Sequence, residues 1–236
     1  MGFTKINSMS LTDLFIQQVE NMILSGELSI GEQLPPAREL SARMGVSRPV
    51  ISAGLIELEK LGFVEIIPRQ GVYVCDYRRK GTIETLMAIM RYNDGIMRGP
   101  EVSSLLQVRR VLEELCMTLV IENATDQELL RFSPYLDAIQ EAKTPEESAE
   151  AVFHFHHELA VLSGNMLLPL LYHSFKPESI LLWQWYAEHK GCHQLYQIKA
   201  DLYQALLRRD TETATQEPKE YPHAGWWDEN NPKGRI

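Results

Sequence analysis

The chain has 236 residues, 44% of them hydrophobic, and a formal net charge of −9, enough for two modest domains or one large one with a real core. No run of eighteen apolar residues and no basic-then-apolar leader occurs, so neither a membrane span nor export is expected, and the cytoplasm is the expected place. The three cysteines, Cys75, Cys116 and Cys192, are far apart and odd in number, which points to a reducing compartment rather than a disulfide framework.

Residues 1–10 show no period and are expected to be flexible. Leu11, Leu14, Phe15, Val19, Met22 and Ile23 then mark one helical face, with Thr12 or Asp13 near its start and Gly26 after its end. Pro35 and Pro36 precede a second helix reaching Met44, stopped by Gly45 in the left-handed conformation. Ser47 suits the N-cap of a third helix carrying Val50, Ile51, Leu55, Leu58 and Leu61. Pro49 falls in that helix's first turn, where its missing N–H is tolerated, and Gly62 ends the helix. Residues 63–67 and 72–75 read as strands paired around 68–71. A helix, a tight turn, a second helix and a β-hairpin describe a winged helix-turn-helix, a module that lays its second motif helix in the DNA major groove.

Residues 76–82 are polar, carry three basic side chains and read as a linker. Beyond them, helical segments fall near 82–93, 101–122, 126–141, 145–163, 166–175, 178–190 and 193–216, with glycine or proline between most of them and no competing strand period. The expected division is a flexible 1–10, a winged helix-turn-helix over 11–76, a linker and connecting helix over 77–99, and an all-α bundle over 100–236. The fold class is mainly α: an N-terminal winged helix-turn-helix plus a C-terminal all-α helical bundle. Charge divides with it. Residues 1–80 hold nine basic and nine acidic side chains, whereas 81–236 hold 14 and 23. The acidic part is repelled by phosphate, so DNA contact is confined to one small face of the first part.

Leu34-Pro35, Arg38-Glu39-Leu40, Met44 to Arg48, Leu58, Gly62 and Arg69-Gln70-Gly71 together resemble the DNA-binding domain of GntR-type bacterial regulators. Val108-Arg109, Leu112-Glu113, Phe155-His156, Ser163-Gly164-Asn165, Ala205 and Asp210 resemble the FadR-like helical domain. The resemblance implies a homodimer whose helical domain binds a small metabolite and so changes affinity for a double-stranded DNA operator; a repressor is expected. It implies no enzyme, and no Ser-His-Asp set, phosphate loop or paired-carboxylate motif argues for one. The alternatives are an architectural DNA binder without effector, or a metal-dependent effector-binding regulator.

Arg38, Ser47, Arg48 and Ser52 are expected at DNA, with Arg69, Gln70 and Gly71 at the wing. Arginine reads guanine best, because its fork meets O6 and N7 together. The family usually has an arginine where this chain has Ser52, a loss of about 1–3 kcal/mol of preference at one base pair.

The resemblance also implies a divalent metal held by one aspartate and three histidines. Here those positions read Val152, His156, Lys199 and, near the end, Tyr221. One ligand of four remains, and Lys199 sets a cation where the metal would be, so no metal and no cofactor is expected. His189, Cys192 and His193, or His154 with His157, are the competing metal sets. Gly191 interrupts the first, and no carboxylate pattern completes either. Arg109 and Lys199, with His156, are expected to bind an anionic metabolite through charge-assisted hydrogen bonds. Trp183, Trp185, Tyr186 and Tyr203 are candidate walls, although aromatic runs at helical spacing usually belong to cores. The competing reading of Arg109 is an i,i+4 pair with Glu113 on a solvated face, and that of His156 is a satisfied core histidine. Pro218 and Pro222 are expected to break the last helix.

Overall fold

A computed structural model describes residues 9–91 and 99–216; residues 1–8 of the expected flexible segment 1–10, Pro218, Tyr221 and Pro222 lie outside them. The chain divides into two units, 1–96 and 97–236.

In the first unit α1 (Leu11–Leu24) begins at Ser10 rather than at Thr12 or Asp13. The Ser10 hydroxyl accepts from the Asp13 amide while the Asp13 carboxylate accepts from the Ser10 amide, a reciprocal capping box. α2 (Ala37–Met44) ends on Gly45 at φ 66, the left-handed stop that the glycine permits. α3 (Arg48–Lys60) follows, and strands β1 (Val64–Ile67) and β2 (Gly71–Val74) pair antiparallel, Val64 opposite Val74 and Ile67 opposite Gly71. Phe15, Val19 and Ile23 of α1 meet Ile51, Leu55 and Leu58 of α3 and Phe63, Val64 and Val74 of the wing in one core.

Gly54 explains itself in this packing. It is buried on α3, and a Cβ there would collide with the Phe15 ring. Gly54→Ala should therefore lower stability by about 1–3 kcal/mol through overpacking, against the roughly 1 kcal/mol that alanine contributes in an open helix. A melt of the variant in which the winged unit is as stable as wild type contradicts that packing.

The expected linker is folded. Tyr77–Lys80 forms a short helix, α4, and α5 (Ile83–Arg91) places Ala88 in the first core. Thr85 Oγ1 donates to the Leu61 carbonyl, and Lys80 reaches Glu65 at 2.7 Å.

The second unit is helical throughout its described residues: α6 (Gly99–Asn123), α7 (Asp126–Leu130), α8 (Ser133–Glu141), α9 (Pro145–Leu162), α10 (Leu168–Ser174), α11 (Lys176–Lys190), α12 (Cys192–Leu207) and α13 (Thr211–Thr215). α9 is the hub. It buries Val152, Phe153, Phe155, His156, Leu159 and Ala160 and packs against α6, α8, α10, α11 and α12. Two expected helices are each broken in two. Residues 126–141 break at Arg131–Phe132, where Pro134 opens α8. Residues 193–216 break at Arg209, held at φ 55 while its guanidinium donates to the Ile121 carbonyl at 2.9 Å and to Asp126 at 2.6 Å. Ser163-Gly164-Asn165 is a helix-to-helix corner. Ser163 Oγ donates to the Ala160 carbonyl, and Asn165 Oδ1 accepts from the Leu167 and Leu168 amides at the start of α10.

Candidate functional site

The first unit gathers exposed basic groups at helix starts. Arg38 lies in the first turn of α2 and Arg48 in the first turn of α3, both exposed. A cation there is disfavoured by the helix dipole by about 0.3–1 kcal/mol, so these arginines answer to something other than the helices. Ser47 takes the N-cap position of α3, but its side chain makes no capping hydrogen bond. Pro49 removes the N2 amide that a cap would otherwise meet. The expected capping role thus gives way to an exposed hydroxyl beside unsatisfied helix N–H groups, the arrangement that receives phosphate. Ser52 is exposed one turn on.

At the wing tip Arg69 and Gly71 both take positive φ. Arg69 has φ 65, and the Gln70 amide donates to the Ile67 carbonyl at 3.0 Å across the turn. A non-glycine residue there costs about 1–2 kcal/mol, and such strain collects at functional positions. The Gln70 carbonyl accepts from Gln33 Nε2 at 2.7 Å, and Gly71 at φ 131 lets that same Gln33 side chain pass where a Cβ would stand.

The second unit holds a cavity whose lining contains Arg109, Glu113, Phe153, His156, Tyr172 and Trp183. Arg109 Nε donates to Glu113 Oε1 at 2.9 Å, with side chains 11% and 13% exposed. Both readings of Arg109 meet here: the i,i+4 pair forms, and it faces inward rather than to solvent. Trp183 collects the cations. The Arg109 guanidinium lies 4.4 Å and the Lys199 ammonium 4.1 Å from its ring centre, within cation–π range. His156 stacks on the same ring at 6.0 Å and faces Glu113 at 3.8 Å. Both His156 ring nitrogens lack a hydrogen bond among the described residues, although the residue is 4% exposed. It is therefore not a satisfied core histidine.

Charge in this cluster follows from burial. Burial is the largest single influence on the Glu113 carboxyl and would raise it, but Arg109, His156 and Lys199 together overcome it and hold the group down at about 2. Burial, then the Lys199 charge, pushes His156 well below the ordinary histidine range, and burial likewise lowers Lys199 against the pull of Glu113. Burial and Glu113 push the Cys116 thiol up to about 12, so it stays protonated. A buried neutral histidine gains a proton on unfolding. Below the ordinary value of about 6.5 the unfolded chain thus binds more protons, and stability falls as the pH is lowered, by up to about 1.4 kcal/mol per pH unit for one such group. Melts between pH 5 and 7 should show this slope, and His156→Gln should flatten it; an unchanged slope contradicts a neutral buried His156.

Two expected residues are not on the cavity wall. Lys199 is fully buried, against Trp183 rather than in the lining. Tyr203 is spent on structure: its hydroxyl donates to the Leu129 carbonyl at 2.8 Å, and its ring lies near Phe132. Tyr221 lies outside the described residues. Of the other candidate walls, Trp183 alone lines the cavity; Tyr186 is core, and Trp185 stacks on His189 at 4.0 Å. Glu113, Tyr172 and Phe153 are the members that spacing alone did not bring forward, although Glu113 stood four residues from Arg109.

Residues 13–74 match the profile of bacterial regulatory proteins of the gntR family, and residues 104–220 match the FCD domain. The chain belongs to the GntR family. Its relatives include the HTH-type transcriptional regulator LutR of Bacillus subtilis, 32% identical over 62% of this chain and 65% of LutR. The Uxu operon transcriptional regulator of Escherichia coli is 26% identical over 83% of this chain and 77% of that protein. The chain spans about 65% of the length of the Bacillus subtilis relatives it matches. The same fold occurs in Lar, which controls the expression of the Listeria monocytogenes agr system; it is 14% identical, with TM-score 0.54, covering 89% of this chain and 92% of Lar. The divalent metal that the resemblance implies does not fit the residues present. Val152 is buried with no lone pair to offer, and Lys199 and Arg109 bring two cations to one ring. Of the two competing sets, the first is divided: Gly191 at φ 93 separates α11 from α12 and so parts His189 from Cys192 and His193.

Proposed function

We propose that the chain is a ligand-responsive, sequence-specific DNA-binding transcriptional regulator, a cytoplasmic homodimer acting as a repressor, whose helical unit binds a small anionic metabolite without a metal. The carrying observation is His156, buried on the cavity wall with both ring nitrogens lacking a hydrogen bond among the described residues. An unmet buried polar group costs about 1–3 kcal/mol, which a ligand bonded to it relieves. Arg109 beside it sets the ligand's sign, since charge-assisted bonds to carboxylate are the stronger kind. The apolar remainder of the lining favours an acid with an apolar body. Lys199 acts from beneath Trp183, adding positive field rather than a contact.

Dimerisation is supported by exposed Val108, Val111 and Leu115, spaced along one face of α6, and by the few base pairs that a single recognition helix reads. Light scattering should give twice the chain mass at micromolar concentration; a monomer contradicts it. A thermal-shift screen against small carboxylates, sugar acids and acyl-CoA tests the ligand. Stabilisation by an acid in wild type but not in Arg109→Met supports the reading. One tightly held transition metal per chain by elemental analysis overturns its metal-free part.

A further inference from the structure

The outward face of α3 carries little charge for a helix that meets DNA. Between Arg48 and Glu57 its exposed positions are Pro49, Ser52, Ala53 and Ile56. At about 100° per residue these four fall within one arc of roughly 100°, opposite the buried Ile51, Gly54, Leu55 and Leu58. Ile56 stays 50% exposed.

One exposed isoleucine is ordinary on a protein surface. Here it shares its arc with a proline and an alanine, and Ser52 is the arc's lone hydrogen-bonding side chain before Lys60 at the far end of the helix. The same unit presents Arg38, Arg48 and Arg69 to solvent, so phosphate attraction is supplied elsewhere and this arc is left to meet base edges. In the major groove the apolar base-edge group is the thymine C5-methyl; the remaining groups there are hydrogen-bond donors and acceptors. Guanine O6 and N7 set against Ala53 or Ile56 would lose water and gain no donor.

We propose that Ala53 and Ile56, with Pro49 beside them, read thymine methyl groups, so that the half-site carries thymines under the middle of α3. This rests on the DNA-binding function proposed above. The full chain would first be used to select from a random double-stranded DNA library. The thymines of the selected half-site would then be replaced by deoxyuridine, which removes only the methyl. A thymine-bearing half-site whose deoxyuridine form binds at least fivefold more weakly is expected. Ile56→Ala, at an exposed position, should fold as wild type and lose that discrimination at one thymine. Equal binding of thymine and deoxyuridine probes, or a half-site without thymine, overturns the methyl reading and leaves DNA binding standing. No enriched sequence overturns both.

Discussion

Glu113→Gln should destabilise the helical unit by about 3–5 kcal/mol, because it takes the paired carboxylate away from the buried Arg109 guanidinium. Arg109 loses its 2.9 Å partner and Lys199 its nearest negative charge. The loss should appear as a lowered melting temperature. Adding Lys199→Met to Glu113→Gln should recover part of it, since it removes a buried amine whose charged form Glu113 had favoured. Glu113→Gln melting with wild type, or Lys199→Met deepening the loss, contradicts a charge-closed cluster.

Arg48→Ala should weaken operator binding by about 1–3 kcal/mol per half-site, roughly doubled in a dimer that places one recognition helix on each half-site. Arg48 is exposed at the start of α3, so its removal should leave the melting temperature unchanged. Unaltered affinity in a shift assay would mean that Arg48 is not a reader.

The winged unit was legible because its punctuation is local. Gly45 and Gly62 stop helices in left-handed conformations that few other residues adopt, and the strands lie within one residue of the alternation that marks them. What escaped was set by distant partners. The start of α1 belongs to Ser10 because Asp13 answers it. The break at Arg209 depends on the Ile121 carbonyl and Asp126, more than eighty residues away, and no local signal announces an arginine at positive φ. In the site, Arg109, His156 and Lys199 do converge on Trp183. Helical spacing, however, does not tell a cavity wall from the layer behind it, which is where Lys199 lies. Tyr203 misled for a related reason: its partner, the Leu129 carbonyl, stands at the end of a helix that was expected to run on.

The most direct test of ligand-responsive DNA binding is operator affinity by fluorescence anisotropy, on a half-site pair selected from a random library, with and without the acid that gives the largest thermal shift. Coupling of the usual size changes the affinity about 5- to 150-fold. Arg109→Met should abolish that change while leaving affinity without the acid within about twofold of wild type. An acid that binds yet leaves operator affinity unchanged, or an Arg109→Met protein that responds as wild type does, would contradict it.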